Sequence, residues 1–148
     1  VQTLVGHHRR HHSCVVALRA LLEAGEIGVP VLASLIWSMK KPDDYFVGNW
    51  RAGSDGSPVM INLVHEVDLL RHLFGDVTVV QGIGSNALRG AARVESGVAT
   101  LGFASGLSAS IAFADSAVSP WGFEAHYGEQ RIGRISVLDS LVGGCGLV

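Results

Sequence analysis

"PVMINLVHEVDLLRHLFG", residues 58–75, carries the period that decides what kind of domain this chain builds. Leu63, Val67, Leu70 and Phe74 step by four, three and four. On a 3.6-residue turn that spacing puts them on one face, so the stretch reads as a helix packed on a core. Pro58 suits a first helical position, and Gly75 suits the stop. A second stripe, Asn62, His65, Leu69 and His72, is polar for the neighbour of so apolar a face, and Asp68 lies one turn beyond His65. A carboxylate beside an imidazole raises its pKa and fixes its orientation, an arrangement suited to a general acid or base. Spacing leaves that reading open against a plainer one, in which His65 and Asp68 are surface residues with local hydrogen bonds.

Upstream, "KPDDYFVGNWRAGSDGS", residues 41–57, is rich in Gly, Asp and aromatic residues and has no period, which predicts a functional loop. Before it, "VPVLASLIWSMK" alternates Val31, Ala33, Leu35, Trp37 and Met39 with Leu32, Ser34, Ile36, Ser38 and Lys40. That is the pattern of a strand, with both faces expected to be at least half covered. In "VVALRALLEAG" the residues Val15, Leu18, Leu21 and Leu22 share a helical face, with Ser13 the expected N-cap and Gly25 the stop. "QTLVG", residues 2–6, reads as a short strand. Downstream of Gly75 the pattern turns to strands: "VTVVQGIGSNAL", "GVATLGFA" and "LSASIAFAD", the last two forming a hairpin through Ser105 and Gly106. The expected fold is α+β: a mostly antiparallel open sheet with helices packed on one face. Beyond Trp121 no clean period is found.

The chain's 148 residues make about one domain. Its net charge of −2 offers no broad cationic face, so nucleic acid is not the expected partner. Two cysteines, Cys14 and Cys145, lie far apart without metal-ligand spacing, which suits a reducing compartment. No apolar run is long enough to span a bilayer, and a cytoplasmic protein is expected. A mean hydropathy of +0.35 with 16% charged residues is apolar for a monomer. It predicts surface that is covered by a missing domain, a partner copy, or both. "VGHHRRHHSC", residues 5–14, has three readings: a metal site, a solvated connector, or the rim of a small-molecule site. His7 with His11, or His8 with His12, would share a face only if the segment were helical, and no third ligand lies close in sequence, so no metal is expected.

Two stretches taken together carry a resemblance: "VGHHRRHHS" between a strand and a helix, and "WRAGSDGSPVMINLVHEVDLLRHLFG" about fifty residues later. They resemble the Gfo/Idh/MocA family of NAD(P)-dependent sugar and cyclitol oxidoreductases, over roughly residues 5–124. In that family a Rossmann domain comes first, and a C-terminal α+β domain carries an H-x-x-D element near the nicotinamide. His65 and Asp68 match that element, and Gly56, Ser57 and Pro58 match its Gly-rich approach. The resemblance implies that residues 1–12 are the exit of a dinucleotide-binding domain. Residues 13–148 are then a C-terminal substrate-binding and oligomerisation domain, expected to be incomplete.

It further implies that His65 and Asp68 are catalytic, and that Asn62, Arg9, Arg10, Lys40 and Arg51 meet a sugar or polyol substrate. NAD or NADP would be held by a domain absent from this chain, so the chain alone is expected to be inactive. Copies would associate through the sheet face. A different class of reading is a substrate-binding or oligomerisation module without catalysis.

The chain also departs from the family pattern. No G-x-G-x-x-G follows a strand, Ile61 stands where many members have Asp, Ser13 stands where Pro is usual, and the tail after Trp121 is atypical.

Overall fold

The computed structural model describes residues 1–118, 131–139 and 144–147, the last two segments as backbone. Helix α1 spans Ser13–Glu23 and α2 spans Val64–Phe74. The strands are β1 Pro30–Met39, β2 Val77–Ser85, β3 Ser96–Phe103, β4 Ser108–Ala114, β5 Arg131–Asp139 and β6 Gly144–Leu147. They form one open sheet in the order β2-β3-β4-β1-β5-β6. All neighbours are antiparallel except β1 and β4, which run parallel with Leu35 opposite Ile111 and Trp37 opposite Phe113. A parallel pair needs a long crossover, and α2 with the β2–β3 hairpin supplies it.

One face of the sheet holds the core. Ala33, Leu35 and Trp37 of β1, Ala109, Ile111 and Phe113 of β4, and Leu101 and Phe103 of β3 are buried there. They lie with Val15 and Leu18 of α1 and Leu69, Leu70, Leu73 and Phe74 of α2 in one cluster. Each fully buried aliphatic or aromatic side chain contributes roughly 1.5–3 kcal/mol of transfer free energy, so α2 is a main fastening of the domain. Its buried face is wider than the 4-3-4 spacing predicts, taking in Leu73 and Leu69 of the polar stripe, while Val67 is only half-buried. The opposite face carries Ser34, Ile36, Thr100, Ser110 and Ala112, small or aliphatic and mostly open to solvent.

Three local expectations are corrected. Residues 2–6 form no strand; Leu4 and Val5 are exposed, and a strand without a neighbour to take its hydrogen bonds has nothing to hold it. The N-cap of α1 is His12, whose Nδ1 accepts from the Cys14 amide at 3.3 Å, because Ser13 already has helical geometry. On β1 only the inner face is sealed, while Leu32 and Ile36 of the outer face are exposed. The α2 segment also begins earlier than the α-helix proper, as a π-turn over Val59–Leu63 that follows Pro58 directly. The tail, which lacks a sequence period, contributes β5 beside β1 and β6 beyond it.

Candidate functional site

The histidine-rich segment folds as a 3₁₀ turn over His8–His11 and lies along the N-terminal half of α2. Two consecutive arginines tie it there. Arg9 is buried and pairs with Glu66. Arg10 grips Asp68 through both carboxylate oxygens, with Nε donating to Oδ2 at 2.7 Å and Nη2 donating to Oδ1. His7 Nδ1 stands 3.7 Å from the same carboxylate. A fork-to-fork pair of this kind fixes angle as well as distance. The Asp68 carboxyl is therefore held below its ordinary range, chiefly by the Arg10 hydrogen bond, and the Arg10 guanidinium is shifted up by the same contact.

His65 projects from the first turn of α2 toward the histidine segment. Its ring meets those of His8 and His7 edge-on, at 5.4 and 6.0 Å between centroids. The spacing of His65 and Asp68 raised the possibility of a direct couple. In the structure the charged groups acting on Asp68 are Arg10, His7 and His72. The histidine segment also borders a cleft of about 950 Å³, lined by His7, His8, Arg10 and His11 with Arg19 of α1 and His72 of α2; His65 and Asn62 do not line it. At its far side Arg19 of α1 donates to the backbone oxygen of His72. Partial burial, with Arg10 and Arg19 close by, lowers the pKa of the His72 imidazole.

The remaining sequence candidates fall in three places. Asn62 is half-buried in the π-turn, one turn before His65. Lys40 is exposed just past the end of β1. Arg51 lies in the long loop, its guanidinium 5.0 Å from the Trp50 ring and 5.3 Å from the Tyr45 ring, with Lys41 over the Tyr45 ring at 4.8 Å. The loop folds tightly on itself just before the α2 segment: a Cβ on Gly56 would sit 2.0 Å from the Arg51 carbonyl oxygen, so only glycine fits. Arg9, expected to reach a substrate oxygen, is turned inward to Glu66 instead. Arg10 keeps its side chain 40% exposed on the cleft while holding Asp68.

Sequence reasoning missed Glu66 and a buried cluster of Arg89, Arg93, Glu95 and Asp115. The signal for Glu66 was its place beside His65 in a helix with two arginines upstream. The cluster members lie near strand ends that only the topology brings together.

A nicotinamide dinucleotide needs a glycine-rich turn opening a helix to cradle its pyrophosphate. Gly82 and Gly84 lie inside β2, and the following residues close a turn through the Gly90 amide and the Asn86 oxygen rather than starting a helix. The described residues therefore do not fit that group. Among them no three His, Cys, Asp or Glu side chains gather as a metal site, and no helix is long and apolar enough to cross a membrane.

These features define a class: an α+β domain whose helix-covered sheet presents a histidine- and arginine-rich edge. The GFO/IDH/MocA C-terminal domain family matches residues 15–135, and the chain belongs to it. Solved structures agree in fold. The WlbA dehydrogenase of Bordetella pertussis, in complex with NADH and UDP-GlcNAcA, is 24% identical with a TM-score of 0.75, over 94% of this chain and 41% of that one. A Thermotoga maritima protein described as a probable dehydrogenase is 26% identical with a TM-score of 0.73, over 95% and 40%. A myo-inositol dehydrogenase of Corynebacterium glutamicum is 19% identical with a TM-score of 0.73, over 97% and 40%. The chain thus spans about two fifths of the length of these relatives. A search of curated proteins by sequence gave no match.

Proposed function

We propose that this chain is the substrate-side domain of an NAD(P)-dependent oxidoreductase acting on a sugar- or cyclitol-like alcohol, with the nucleotide held by other polypeptide. The observation that carries the reading is the convergence of His65, His7, His8 and the Arg10–Asp68 pair along the first half of α2, where His7, His8 and Arg10 also line an open cleft. Hydride transfer belongs to the nicotinamide. The work left to this chain is to seat the alcohol and take its proton.

His65 is the proton acceptor in this reading, and Asn62 hydrogen-bonds a neighbouring hydroxyl. Asp68 is a positioning residue: it holds Arg10, and Arg10 with its outer edge on the cleft meets a substrate oxygen. Arg51, Tyr45 and Trp50 offer a stacked surface of the kind that takes a sugar face. Support comes from the names of solved neighbours: a WlbA dehydrogenase and a levoglucosan dehydrogenase, each in complex with NADH, and a myo-inositol dehydrogenase.

His65→Ala, made in this chain joined to a nucleotide-binding domain, is expected to lower turnover with a polyol by roughly two to four decades with little change in NADH affinity. Unchanged turnover removes His65 from the proton-transfer step.

A further inference from the structure

A second polar cluster sits at the sheet end where β1, β2 and β4 finish and β3 begins. Past the last strand pairs the backbone ladder continues across four segments: the Glu95 amide donates to the Ser85 oxygen at 2.9 Å, Asp115 to Glu95 at 2.9 Å, and Lys41 to Asp115 at 2.8 Å. Inside this extension Arg93, Glu95 and Asp115 are almost fully buried. Asp115 accepts from Arg93 and, at 2.9 Å, from Arg89. Glu95 accepts from the amides of Leu88 and Arg89 at 2.6 and 3.1 Å, which fixes the β2–β3 turn.

Arg89 is the hub. It also donates to the Lys41 carbonyl at 2.8 Å and to Asp43 at 3.2 Å, so one guanidinium spans the end of β4, the β2–β3 connection and the start of the long loop. The loop returns the contact through Phe46, whose ring lies 4.0 Å from the Arg93 guanidinium and 5.1 Å from that of Arg89. Burying Arg93 with two carboxylates, and half-burying Arg89 against them, is costly unless every charge is matched, and such an arrangement resists being pulled apart one contact at a time. Along the loop itself only short 3₁₀ turns, Asp43–Phe46, Trp50–Ala52 and Ser54–Gly56, supply internal order. Turns of that length do not hold a position alone.

We propose that Arg89, Arg93 and Phe46 are positioning residues that set where the 41–57 loop stands, and through it the placement of Tyr45 and Arg51. The cluster is an anchor: Asp115 and Glu95 orient the two guanidiniums, and these hold Phe46 and the Lys41 carbonyl. The inference rests on the proposed function only in assigning the loop to the substrate side.

Hydrogen exchange on the intact chain tests it. In Phe46→Leu, a change at a half-buried position, the amides of Tyr45, Val47, Ala52 and Gly53 should exchange about tenfold faster while those of β3 and β4 keep their parental protection. Phe46→Tyr, which keeps the π face, should behave as the parent does. Loop amides that exchange at the parental rate in Phe46→Leu, or that rise only in step with β3 and β4, overturn the anchor. Titration of the same variants with myo-inositol separates the two claims: a loosened loop with weaker binding supports both, whereas a loosened loop with unchanged binding keeps the anchor and removes the loop from the substrate side.

Discussion

At the scale of single residues, the neighbours Arg9 and Arg10 have divided tasks. Arg9 is buried on Glu66, and Arg10 reaches Asp68 from the cleft side. Removing one member of the buried pair strands a charge, so Glu66→Ala should lower unfolding free energy by about 3–5 kcal/mol, whereas Arg9→Met with Glu66→Leu should be close to neutral. Urea denaturation of the two variants checks this, and equal losses would contradict it. His72 gives a pH signature. Its folded pKa is lowered, so as the pH falls through the ordinary imidazole value of about 6.5 the unfolded chain binds the proton first and stability declines. Thermal unfolding from pH 8 to 5 should show that decline, and His72→Gln should flatten it. The Asp68 contribution has the same direction but a lower window, lost only as the pH falls through the carboxylate range. What the sequence showed here was residue type and spacing. What it hid was pairing across the chain, because spacing within one helix cannot show that an arginine 58 residues away grips Asp68 through both carboxylate oxygens.

Among the elements, those with strong periods were legible. Helices α2 and α1, the latter with its Gly25 stop, and the β3–β4 hairpin stand where alternation and helical spacing put them, but the faces shift by a residue or so: Leu69 of the polar stripe is fully buried and Leu21 of the α1 face is exposed. The failures share a physical cause: among the described residues no strand lies beside residues 2–6, and none covers the alternating outer face of β1. That outer face is itself a consequence of the elements. Leu32, Ile36, Ile83 and Val98 are exposed there around two hollows of about 460 and 490 Å³. A solvent-facing aliphatic surface of this kind marks an association face, and we propose that copies of the chain associate through it. Sedimentation should find a dimer for the parent chain and a monomer for Ile83→Lys, which alters a residue 76% exposed and so leaves the fold intact. A parent chain that sediments as a monomer counts against the association.

For the whole molecule, the division of labour follows from what the sheet ends carry. One edge of α2 gathers imidazoles and the Arg10–Asp68 fork, while a buried anchor fixes the loop that leads into the same helix. The pyrophosphate of a dinucleotide finds no glycine-rich helix start among the described residues, and the family to which the chain belongs is that of C-terminal domains. The missing G-x-G-x-x-G was readable directly. The Arg89–Asp115 anchor was not, since its members are separated by up to 74 residues from Lys41 to Asp115 and meet only when β1 and β4 pair in parallel. The central claim is a polyol-binding wall that does not itself hold the nucleotide, and NMR of the labelled chain titrated with myo-inositol and, separately, with NADH tests it most directly. The account predicts shifts at the His65 imidazole, the Asn62 amide and the Arg10 guanidinium with the polyol, and none with micromolar NADH. NADH binding at those concentrations, or polyol shifts that spare His65, would contradict it.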